Sequence, residues 1–382
     1  MTHHGKIKLR AIEAVLFRAP AAVPVRTSFA VSTHRSALLV RIEDADGAYG
    51  WGEIYASFPP GSGEHRLTLL RELFIPLALA TPFAEPPELY HRLTQATRVL
   101  SLQCGELGPF AQIAAGLDIA AWDLVARRAG VPLWRRLGAT EPTTLRPYAS
   151  GINPEHPDKA VAAEWENGFR AFKLKLGFGR DTDLGNVAAV RTALGDDVPV
   201  MLDPNQAWTP DVAVDMATAL APFRPHWLEE PLPADTPISL WRELAERSPI
   251  PLATGENLRG EATFAEAIAS GAFQFLQPDP IKWGGLSALR EVAGAIDAAG
   301  IGFCPHYFGG GIGLIASAHL VAAAGSERSF VEVDHNDNPL RALLAMPYPR
   351  IEEGVMHLAP GPGLGVEPDL AEAKRYIVAR LG

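Results

Sequence analysis

Polar side chains end seven of eight short apolar runs in the second half of the chain, where an apolar strand has no structural need of them. Carboxylates, amines and an imidazole are groups that bind cations and move protons in enzymes. If the runs are parallel strands of one barrel, their carboxyl ends converge on one mouth and these residues surround a single cavity. They are Lys173 and Lys175, Asp203 with Asn205, Glu229, Glu256, Asp279, His306 and Glu332.

Three of these acids, Asp203, Glu229 and Glu256, follow three consecutive runs. Three carboxylates in one cavity repel each other and raise each other's pKa unless a cation compensates. Oxygen ligands completed by water suit Mg²⁺ or Mn²⁺ and not zinc. Taken singly, each acid has a simpler interpretation: a turn before Pro204, a cap on the next segment, or a solvated loop acid. Their shared position at consecutive strand ends favours the metal site.

The two lysines, Lys173 and Lys175, lie two residues apart, so on a strand both point to one face. Two neighbouring ammonium groups near a divalent metal depress each other's pKa, which makes a lysine usable as a base. The alternative is an exposed edge strand with outward lysines, which does not fit a strand inside a barrel covered by helices.

The sixth and seventh runs end in Asp279 and His306. Adjacent strands bring these ends within reach of each other, so the carboxylate can hold one imidazole nitrogen and raise its proton affinity. A lone histidine is more often a buried residue bonded to a backbone carbonyl. Glu332, after the eighth run, is predicted to donate a hydrogen bond if protonated or to pair with Lys173.

The elements that must position these residues are eight apolar runs, most of them followed by a helical pattern. Consecutive runs begin about 22 to 28 residues apart, the length of one strand, loop, helix and loop. Eight such units predict an α/β fold with a closed parallel barrel. The competing doubly wound sheet lacks its nucleotide-binding glycine motifs here. The runs are 145–150, 171–176, 198–205, 226–231, 251–257, 273–279, 301–306 and 329–334.

The first 140 residues follow a different pattern. Residues 36–42 and 48–54 are apolar runs around an Asp-Gly pair, which predicts a hairpin. Residues 113–129 carry apolar side chains at helical spacing. A sheet followed by helices is an α+β arrangement. We therefore predict an N-terminal domain over 1–140, a barrel over 145–354 and a C-terminal segment, 355–382, that returns to the first domain.

Composition restricts the partners. Lys and Arg number 34 against 44 Asp and Glu, and the net charge of −10 argues against nucleic acid or an anionic membrane as a partner. Two cysteines, Cys104 and Cys304, form neither a disulfide framework nor a thiolate metal site, which favours a reduced, cytoplasmic protein. The polar residues 1–10 lack an export signal, and no stretch predicts a membrane span.

The motifs in their order resemble the enolase superfamily, specifically its mandelate racemase-like branch (the mandelate racemase/muconate lactonizing enzyme family). They cover nearly the whole chain, and no single one is decisive. They are G-W-G-E at 50–53, A-G-L-D-I-A-A-W-D-L at 115–124, K-L-K at 173–175, D-P-N at 203–205, E-E-P at 229–231, G-E-N at 255–257, P-D at 278–279, P-H at 305–306 and G-P-G-L-G at 361–365.

The resemblance implies a modified (β/α)7β TIM barrel with an N-terminal α+β capping domain, and symmetric homo-oligomers. It implies that Lys175 is a base on one face of a small carboxylic acid substrate and that His306, poised by Asp279, is an acid or base on the other. A Lys or His base with Mg²⁺ stabilising an ene-diolate is this superfamily's known chemistry. The remaining roles implied are Mg²⁺ (or Mn²⁺) binding by Asp203, Glu229 and Glu256, and substrate contacts by Lys173, Asn205 and Glu332.

Within that branch, F-K-L-K-L-G-F-G at 172–179 and P-H-Y-F-G-G-G-I-G at 305–313 look like members that handle acid sugars. We predict dehydration of an aldonate or aldarate to a 2-keto-3-deoxy acid. The alternatives are a cycloisomerase of an aldaric lactone, a racemase or epimerase of an α-hydroxy acid, and, from another class, a barrel that binds a ligand without turnover. Capping-loop residues such as Arg26 and His34 are predicted to bind substrate hydroxyls, against the alternative of a solvated loop.

Overall fold

An antiparallel sheet of four strands forms the N-terminal part of the computed structural model, which describes residues 6–382. Its strands are β1 (Leu9–Arg26), β2 (Val31–Asp44), β3 (Tyr49–Ile54) and β14 (Ile377–Leu381), in the order β14-β1-β2-β3. The predicted hairpin is β2 and β3. The last strand of the chain thus lies beside the first.

Helices cover one side of this sheet. They are α1 (Ser62–Leu69), a π-helical segment (Leu70–Phe74), α2 (Ile75–Ala80), α3 (Pro86–Gln103), α4 (Leu107–Ala129) and α5 (Leu133–Arg136). The predicted helix at 113–129 is α4, which begins earlier, at Leu107. Proline is compatible with the first turn of a helix, so Pro109 does not delay its start.

The parallel barrel is built from the eight predicted runs, and the predicted fold class is confirmed. Its strands, in the order β10-β9-β8-β7-β6-β5-β4-β11, are β4 (Pro147–Ile152), β5 (Phe172–Lys175), β6 (Val200–Asp203), β7 (Leu228–Glu229), β8 (Leu252–Thr254), β9 (Phe275–Leu276), β10 (Gly302–Phe303) and β11 (Val331–Asp334).

Helices alternate with these strands, and a small hairpin follows. They are α6 (Pro157–Glu166), α7 (Arg180–Leu194), α8 (Pro210–Leu220) with a 3-10 turn (Ala221–Phe223), α9 (Ile238–Arg247), α10 (Glu261–Ser270), α11 (Gly285–Ala298), α12 (Gly311–Ala324), α13 (Pro339–Leu343), the strands β12 (Arg350–Glu352) and β13 (Val355–His357), and a 3-10 turn (Glu372–Tyr376). No helix within residues 6–382 combines the length and apolar character that a membrane crossing requires.

The seam between β10 and β11 is closed by side chains. Within residues 6–382 these two strands share no ladder pairs. Instead the Cys304 sulfur lies 3.7 Å from the Arg328 carbonyl oxygen, and the main-chain N–H of Tyr307 donates to Glu332 over 3.0 Å.

The barrel interior holds one buried layer with a residue from each of the eight strand segments. Each strand turns alternate side chains inward, so this layer closes the barrel floor and the next inward residues face its mouth. The layer consists of Tyr148, Ala171, Met201, Trp227, Ala253, Phe275, Cys304 and Phe330.

The N-terminal sheet packs closely on α4, which explains two of the sequence motifs. A Cβ atom on Gly52 would lie 2.0 Å from the Gly116 carbonyl oxygen, so a side chain there would require the strand or the helix to move. Glycines at both positions allow the two backbones to approach each other.

Buried acids of the N-terminal part bind main-chain N–H groups of the barrel. Glu53 accepts from Gly313 over 2.8 Å and from Gly310, at the start of α12. Asp118 accepts from the main chain of Leu286 and Ser287 over 2.7 and 2.9 Å, at the start of α11. The first turn of a helix carries unpaired N–H donors and a positive dipole end, so a buried carboxylate stabilises it.

Candidate active site

Lys173 lies at the centre of a buried ionic cluster. Its Nζ atom is 2.5 Å from Glu229 Oε1, 2.8 Å from Glu332 Oε1 and 3.9 Å from Asp203 Oδ2. Burial lowers the pKa of Lys173, but Glu229 and Glu332 outweigh burial and raise it well above its usual value. Lys173 therefore stays an ammonium group and acts as a fixed positive charge.

Lys175 pairs with the acid opposite it on the next strand. The register of β5 and β6 places Lys175 beside Asp203, and its Nζ atom is 2.5 Å from Asp203 Oδ2. Burial lowers the pKa of Lys175, and the neighbouring ammonium group of Lys173 lowers it further, which is the effect that the sequence predicted. Asp203 outweighs both, so the pKa of Lys175 is raised overall. In this arrangement Asp203 holds Lys175 as an ammonium group, and the role of Lys175 as a base stays a prediction.

Glu229 accepts hydrogen bonds from the interior of the barrel. Its Oε2 accepts from Trp227 Nε1 over 2.9 Å and from Gln277 Nε2 over 2.6 Å. Burial raises the pKa of Glu229 to about 7; Lys173 opposes this rise and Asp203 adds to it. The pKa of Glu229 therefore lies above its usual value mainly because the carboxylate is buried.

His306 lies between two carboxylates. Its Nδ1 atom is 2.7 Å from Asp279 Oδ2, and its Nε2 atom is 3.0 Å from Glu256 Oε2. Burial lowers the pKa of His306, but Glu256, Glu332 and Asp279 raise it to about 10. With an acceptor at each nitrogen the ring is an imidazolium, so it is arranged to give a proton.

Glu332 is one of the three acids around Lys173. Besides Lys173 it accepts from the Ser150 hydroxyl and from the Tyr307 main chain. Burial raises the pKa of Glu332, but Lys173 and His306 outweigh burial and lower it. Of the two predicted roles, the structure shows the pair with Lys173.

The residues of the predicted metal site supply the carboxylate oxygens that Mg²⁺ binds, but these oxygens contact lysine and histidine side chains. Within residues 6–382, no three acid, histidine or cysteine side chains are grouped closely enough to hold a metal ion as they stand. Asp203, Glu229 and Glu256 each bond a lysine or the imidazole instead. They do end three adjacent strands, and Asn205 Oδ1 is buried beside Asp203 without a partner. Hard oxygen donors of this kind fit Mg²⁺.

A cavity of about 850 Å³ opens over this cluster. Five of the predicted residues line it: Lys175, Asn205, Glu256, His306 and Glu332. Lys175 on β5 and His306 after β10 are separated by two strands on one side of the barrel and four on the other. They therefore lie on different sides of the mouth, with the cavity between them.

The other predicted residues lie behind or outside the cavity lining. Lys173, Asp203, Glu229 and Asp279 are buried beneath it. Arg26 pairs with Glu155 over 3.0 Å with about half of each side chain exposed.

His34, the other predicted capping-loop residue, bonds Thr33 and lines a separate, smaller cavity. Neither Arg26 nor His34 reaches the larger cavity, and their role in binding substrate stays a prediction.

Sequence reasoning missed a second group at the mouth. Lys282 Nζ donates to Asn257 Oδ1 over 2.9 Å and lies 3.6 Å from Glu256 Oε1. Asn257 in turn donates to Glu230 over 2.8 Å. The two consecutive acids at 229–230 were the sequence signal for this group. Which of them faces Lys173 and which faces Asn257 is decided by the turn at Glu230, whose φ is 34°.

A second cavity, of about 860 Å³, adjoins the first between α3 and the loops after β6 and β8. The two cavities share Gln206, Asn257 and Arg259 in their linings. None of the predicted acids, lysines or histidines lines the second cavity, so the chemistry belongs to the first.

Comparison with known proteins agrees with this geometry. Residues 11–138 match the family model described as mandelate racemase/muconate lactonizing enzyme, N-terminal domain, and residues 158–373 match the model described as enolase C-terminal domain-like. Among solved structures, a mandelate racemase/muconate lactonizing enzyme from Bordetella bronchiseptica has a TM-score of 0.91 and 46% identity, covering 97% of this chain and 100% of that one.

A racemase from Streptomyces coelicolor with bound magnesium has a TM-score of 0.86 and 28% identity, covering 97% and 100%. Two curated relatives are a D-galactarolactone cycloisomerase of Agrobacterium fabrum, 28% identical over 94% of this chain and 96% of that protein, and a 3,6-anhydro-α-L-galactonate cycloisomerase of Streptomyces coelicolor, 31% identical over 93% and 97%. A third, an arabinonate dehydratase of Saccharolobus solfataricus, is 28% identical over 85% and 86%.

Proposed function

Because the chain belongs to the mandelate racemase/muconate lactonizing enzyme family of the enolase superfamily, we propose that it removes the α-proton of a sugar-derived carboxylic acid. The observation that carries this is the placement of Lys175 and His306 on facing sides of one cavity over a cluster of buried acids. The favoured reaction is dehydration of an aldonate or aldarate to a 2-keto-3-deoxy acid.

Charge is the main difficulty of the reaction. Removing a proton next to a carboxylate forms an enolate with two negative charges, which preorganised cations stabilise better than water does. Lys173 is such a cation, and its bonds to Glu229 and Glu332 hold it in place. Asp203, Glu229 and Glu256 would hold Mg²⁺, and the ion would supply further positive charge where the enolate forms.

His306 and Lys175 have different roles in proton transfer, one on each face of the substrate. His306 Nδ1 lies 2.7 Å from Asp279, whose charge favours the imidazolium, so we assign His306 as the acid that protonates the departing β-hydroxyl. Lys175 is the base, and it takes the proton from C2 once its pair with Asp203 is relaxed. The C2–H bond and the C3–O bond break, water leaves, and the resulting enol tautomerises to the 2-keto-3-deoxy acid.

The second candidate is cycloisomerisation, because two relatives that align with nearly the whole chain are cycloisomerases of a galactarolactone and of an anhydro-galactonate. The same two groups serve this reaction if the leaving oxygen belongs to a ring. The ring then opens and no water is lost.

The test is incubation with Mg²⁺ in D₂O of galactarate, galactonate, arabinonate, D-galactarolactone and 3,6-anhydro-L-galactonate. Deuterium at C3 of a 2-keto-3-deoxy product and exchange at C2 of the recovered acid are followed by NMR, and the product by mass, which separates loss of water from isomerisation. Lys175→Ala and His306→Ala are expected to lose turnover, whereas Asp215→Asn, an exposed acid on α8, keeps it. Neither a keto product nor C2 exchange with any of these acids, or turnover retained by both active-site variants, contradicts the proposal.

A further inference from the structure

His306 is followed directly by a glycine-rich loop that leads from β10 to α12. The loop runs from Tyr307 to Gly310, and α12 begins at Gly311. A glycine has no side chain that could anchor it, so the path of such a loop is set by the groups that bond its main chain. Because His306 adjoins the loop, the position of the imidazole depends on that path.

The barrel bonds one side of this loop. The main-chain N–H of Tyr307 donates to Glu332 over 3.0 Å. The Tyr307 hydroxyl lies 2.8 and 2.6 Å from the carbonyl oxygens of Gly309 and Gly310. Asn338 Nδ2 also donates to the Gly309 carbonyl, over 2.9 Å. These contacts engage carbonyl oxygens of both glycines and leave the Gly310 N–H to another partner.

The N-terminal part of the chain bonds the other side. Glu53 accepts from the Gly313 N–H over 2.8 Å and, with its other oxygen, from the Gly310 N–H. The Ser57 hydroxyl donates to the Phe308 carbonyl over 3.1 Å. Glu53 belongs to β3 and Ser57 follows that strand, so one short segment supplies both contacts.

Glu53 is a rigid support for the loop. It is buried, and the sheet register pairs it with Leu39 of β2. A Cβ atom on Gly309 would lie only 2.6 Å from Glu53 Oε1, so the carboxylate and the loop are in close contact. A carboxylate held by a sheet and packed in this way does not follow a displaced loop, and it therefore fixes where the loop lies.

We propose that Glu53 is a positioning residue for His306, and that through it the N-terminal part holds the imidazole in place to protonate the departing oxygen. The inference rests on the proposed function, in which Lys175 takes the C2 proton. Asp279 bonds the imidazole ring, whereas Glu53 bonds the main chain beyond it. Because a misplacement of about 1 Å can cost about a hundredfold in rate, a residue that never touches the substrate can control this step.

The simpler role for Glu53 is to stabilise the start of α12, and the two roles have different consequences. Loss of a helix cap lowers stability but leaves the chemistry of the folded molecules unchanged. Loss of positioning slows one step: Lys175 still takes the C2 proton, but the C3–O bond breaks more slowly. The enolate then returns to the starting acid more often. An amine exchanges its protons with solvent, so in D₂O the recovered acid carries deuterium at C2.

The test measures the ratio of keto product formed to deuterium exchanged at C2 of the recovered acid. The substrates, with Mg²⁺ in D₂O, are galactarate, galactonate, arabinonate, D-galactarolactone and 3,6-anhydro-L-galactonate. Glu53→Gln keeps the size of the side chain but replaces one acceptor oxygen by a donor. We expect the ratio to fall by about ten- to a hundredfold, through kcat, with KM nearly unchanged because Glu53 does not line the cavity that contains Lys175 and His306.

Asp123→Asn is the matched control. Asp123 is also a buried acid of the N-terminal part that accepts from two main-chain N–H groups, those of Trp51 and Leu364, over 2.8 and 2.7 Å. It has no contact with the loop after His306, so this variant is expected to keep the wild-type ratio even where urea denaturation shows a lower stability.

Ser57→Ala tests the same loop without altering a buried charge. Removing one hydrogen bond is expected to lower the ratio by about fivefold. If Glu53→Gln does not fold, Ser57→Ala decides the question. A ratio that stays at the wild-type value in the folded variants overturns the inference, because Glu53 would then only stabilise α12.

Exchange without any keto product in the wild type also overturns the inference, since His306 then has no departing oxygen to protonate. Failure of the proposed function is distinct from both results. In that case the wild type gives neither a keto product nor C2 exchange with any of the acids.

Discussion

The ammonium nitrogen of Lys175 lies 2.5 Å from Oδ2 of Asp203, so the proposed base is bonded to a proposed metal ligand. This contact links the protonation of the base Lys175 to metal binding by Asp203. While Asp203 faces Lys175, the carboxylate raises the pKa of the lysine and keeps it protonated. If a divalent cation neutralised the charge of Asp203, that effect would weaken, and a larger fraction of Lys175 would be the free amine that acts as a nucleophile or base.

Mg²⁺ is therefore expected to lower the pKa of Lys175. The measurement is the rate of acetylation of Lys175 at pH 8 by a small anhydride, read by peptide mass spectrometry with and without Mg²⁺. We expect faster labelling with Mg²⁺, and no change at the exposed Lys159. In Asp203→Asn the rate should already be high and insensitive to Mg²⁺. Equal rates in the wild type under both conditions would show that the two roles are not coupled.

Asp279 is expected to control the proton on His306. Its carboxylate is 2.7 Å from Nδ1 of the imidazole. Burial lowers the pKa of His306, Glu256 and Glu332 raise it most, and the hydrogen bond with Asp279 raises it further. Replacing it by the neutral Asp279→Asn removes a charge that favours imidazolium, so the pKa of His306 should fall. Nitrogen NMR of the histidine side chains measures this directly.

A drop in turnover should accompany that change, by about ten- to a hundredfold in kcat, because the acid is both weaker and less well oriented. Asp183→Asn, at a buried acid that bonds the Gly177 and Phe178 main chain, is the matched control and leaves the His306 titration unchanged. A His306 titration that does not move in Asp279→Asn contradicts the assignment of Asp279.

The sequence predicted the fold and most of the cluster because both follow from periodic patterns. Each strand end carries its polar residue at a fixed position after an apolar run, and a closed barrel brings these ends together whatever the loops do. Lys173, Asp203 and Glu229 are therefore placed by the strands themselves. The pair of Lys175 with Asp203 was not predicted, because sequence does not reveal which carboxylate a side chain faces.

Residues on loops were the ones that the sequence did not predict. Arg26 and His34 were chosen as polar capping-loop residues, yet they lie on β1 and β2 and do not line the cavity that contains Lys175 and His306. Phe58 and Phe308 enter it from loops joined only in the folded structure. A loop side chain is positioned by long-range packing, and no local periodicity records that packing.

Asp118 is expected to hold the N-terminal part against the barrel. Asp118→Ala leaves the main-chain N–H groups of Leu286 and Ser287 buried without their acceptor, and also removes the bond from the Ser287 hydroxyl. We expect a loss of about 3 kcal/mol in the free energy of unfolding, from unsatisfied buried donors at a helix start. Urea denaturation measures it.

Asp46→Ala is the control for that measurement, since Asp46 is exposed and its contact with Arg128 is a surface ion pair. It should change the free energy of unfolding by less than about 1 kcal/mol. A similar loss for both variants would show that Asp118 contributes no more than a surface acid.

The buried His319 is expected to make the protein less stable as the pH falls below 6.5. Its Nδ1 accepts from the Trp134 N–H over 3.2 Å and its Nε2 lies 3.1 Å from the Leu364 carbonyl oxygen, an arrangement that requires the neutral ring. Burial lowers the pKa of His319 to about 4. Between pH 6.5 and 4 the unfolded chain binds a proton at this residue and the folded chain does not, so stability falls with pH.

This residue accounts for a loss of about 3 kcal/mol across that window, from the shift between the two states. The measurement is the free energy of unfolding from pH 7.5 to 4.5 for the wild type and for His319→Gln, whose difference isolates one histidine from the other titrating groups. The wild type should lose more stability on acidification than the variant. If the variant fails to fold, NMR titration of the wild type decides instead, and a His319 ring that protonates near pH 6.5 would contradict the prediction.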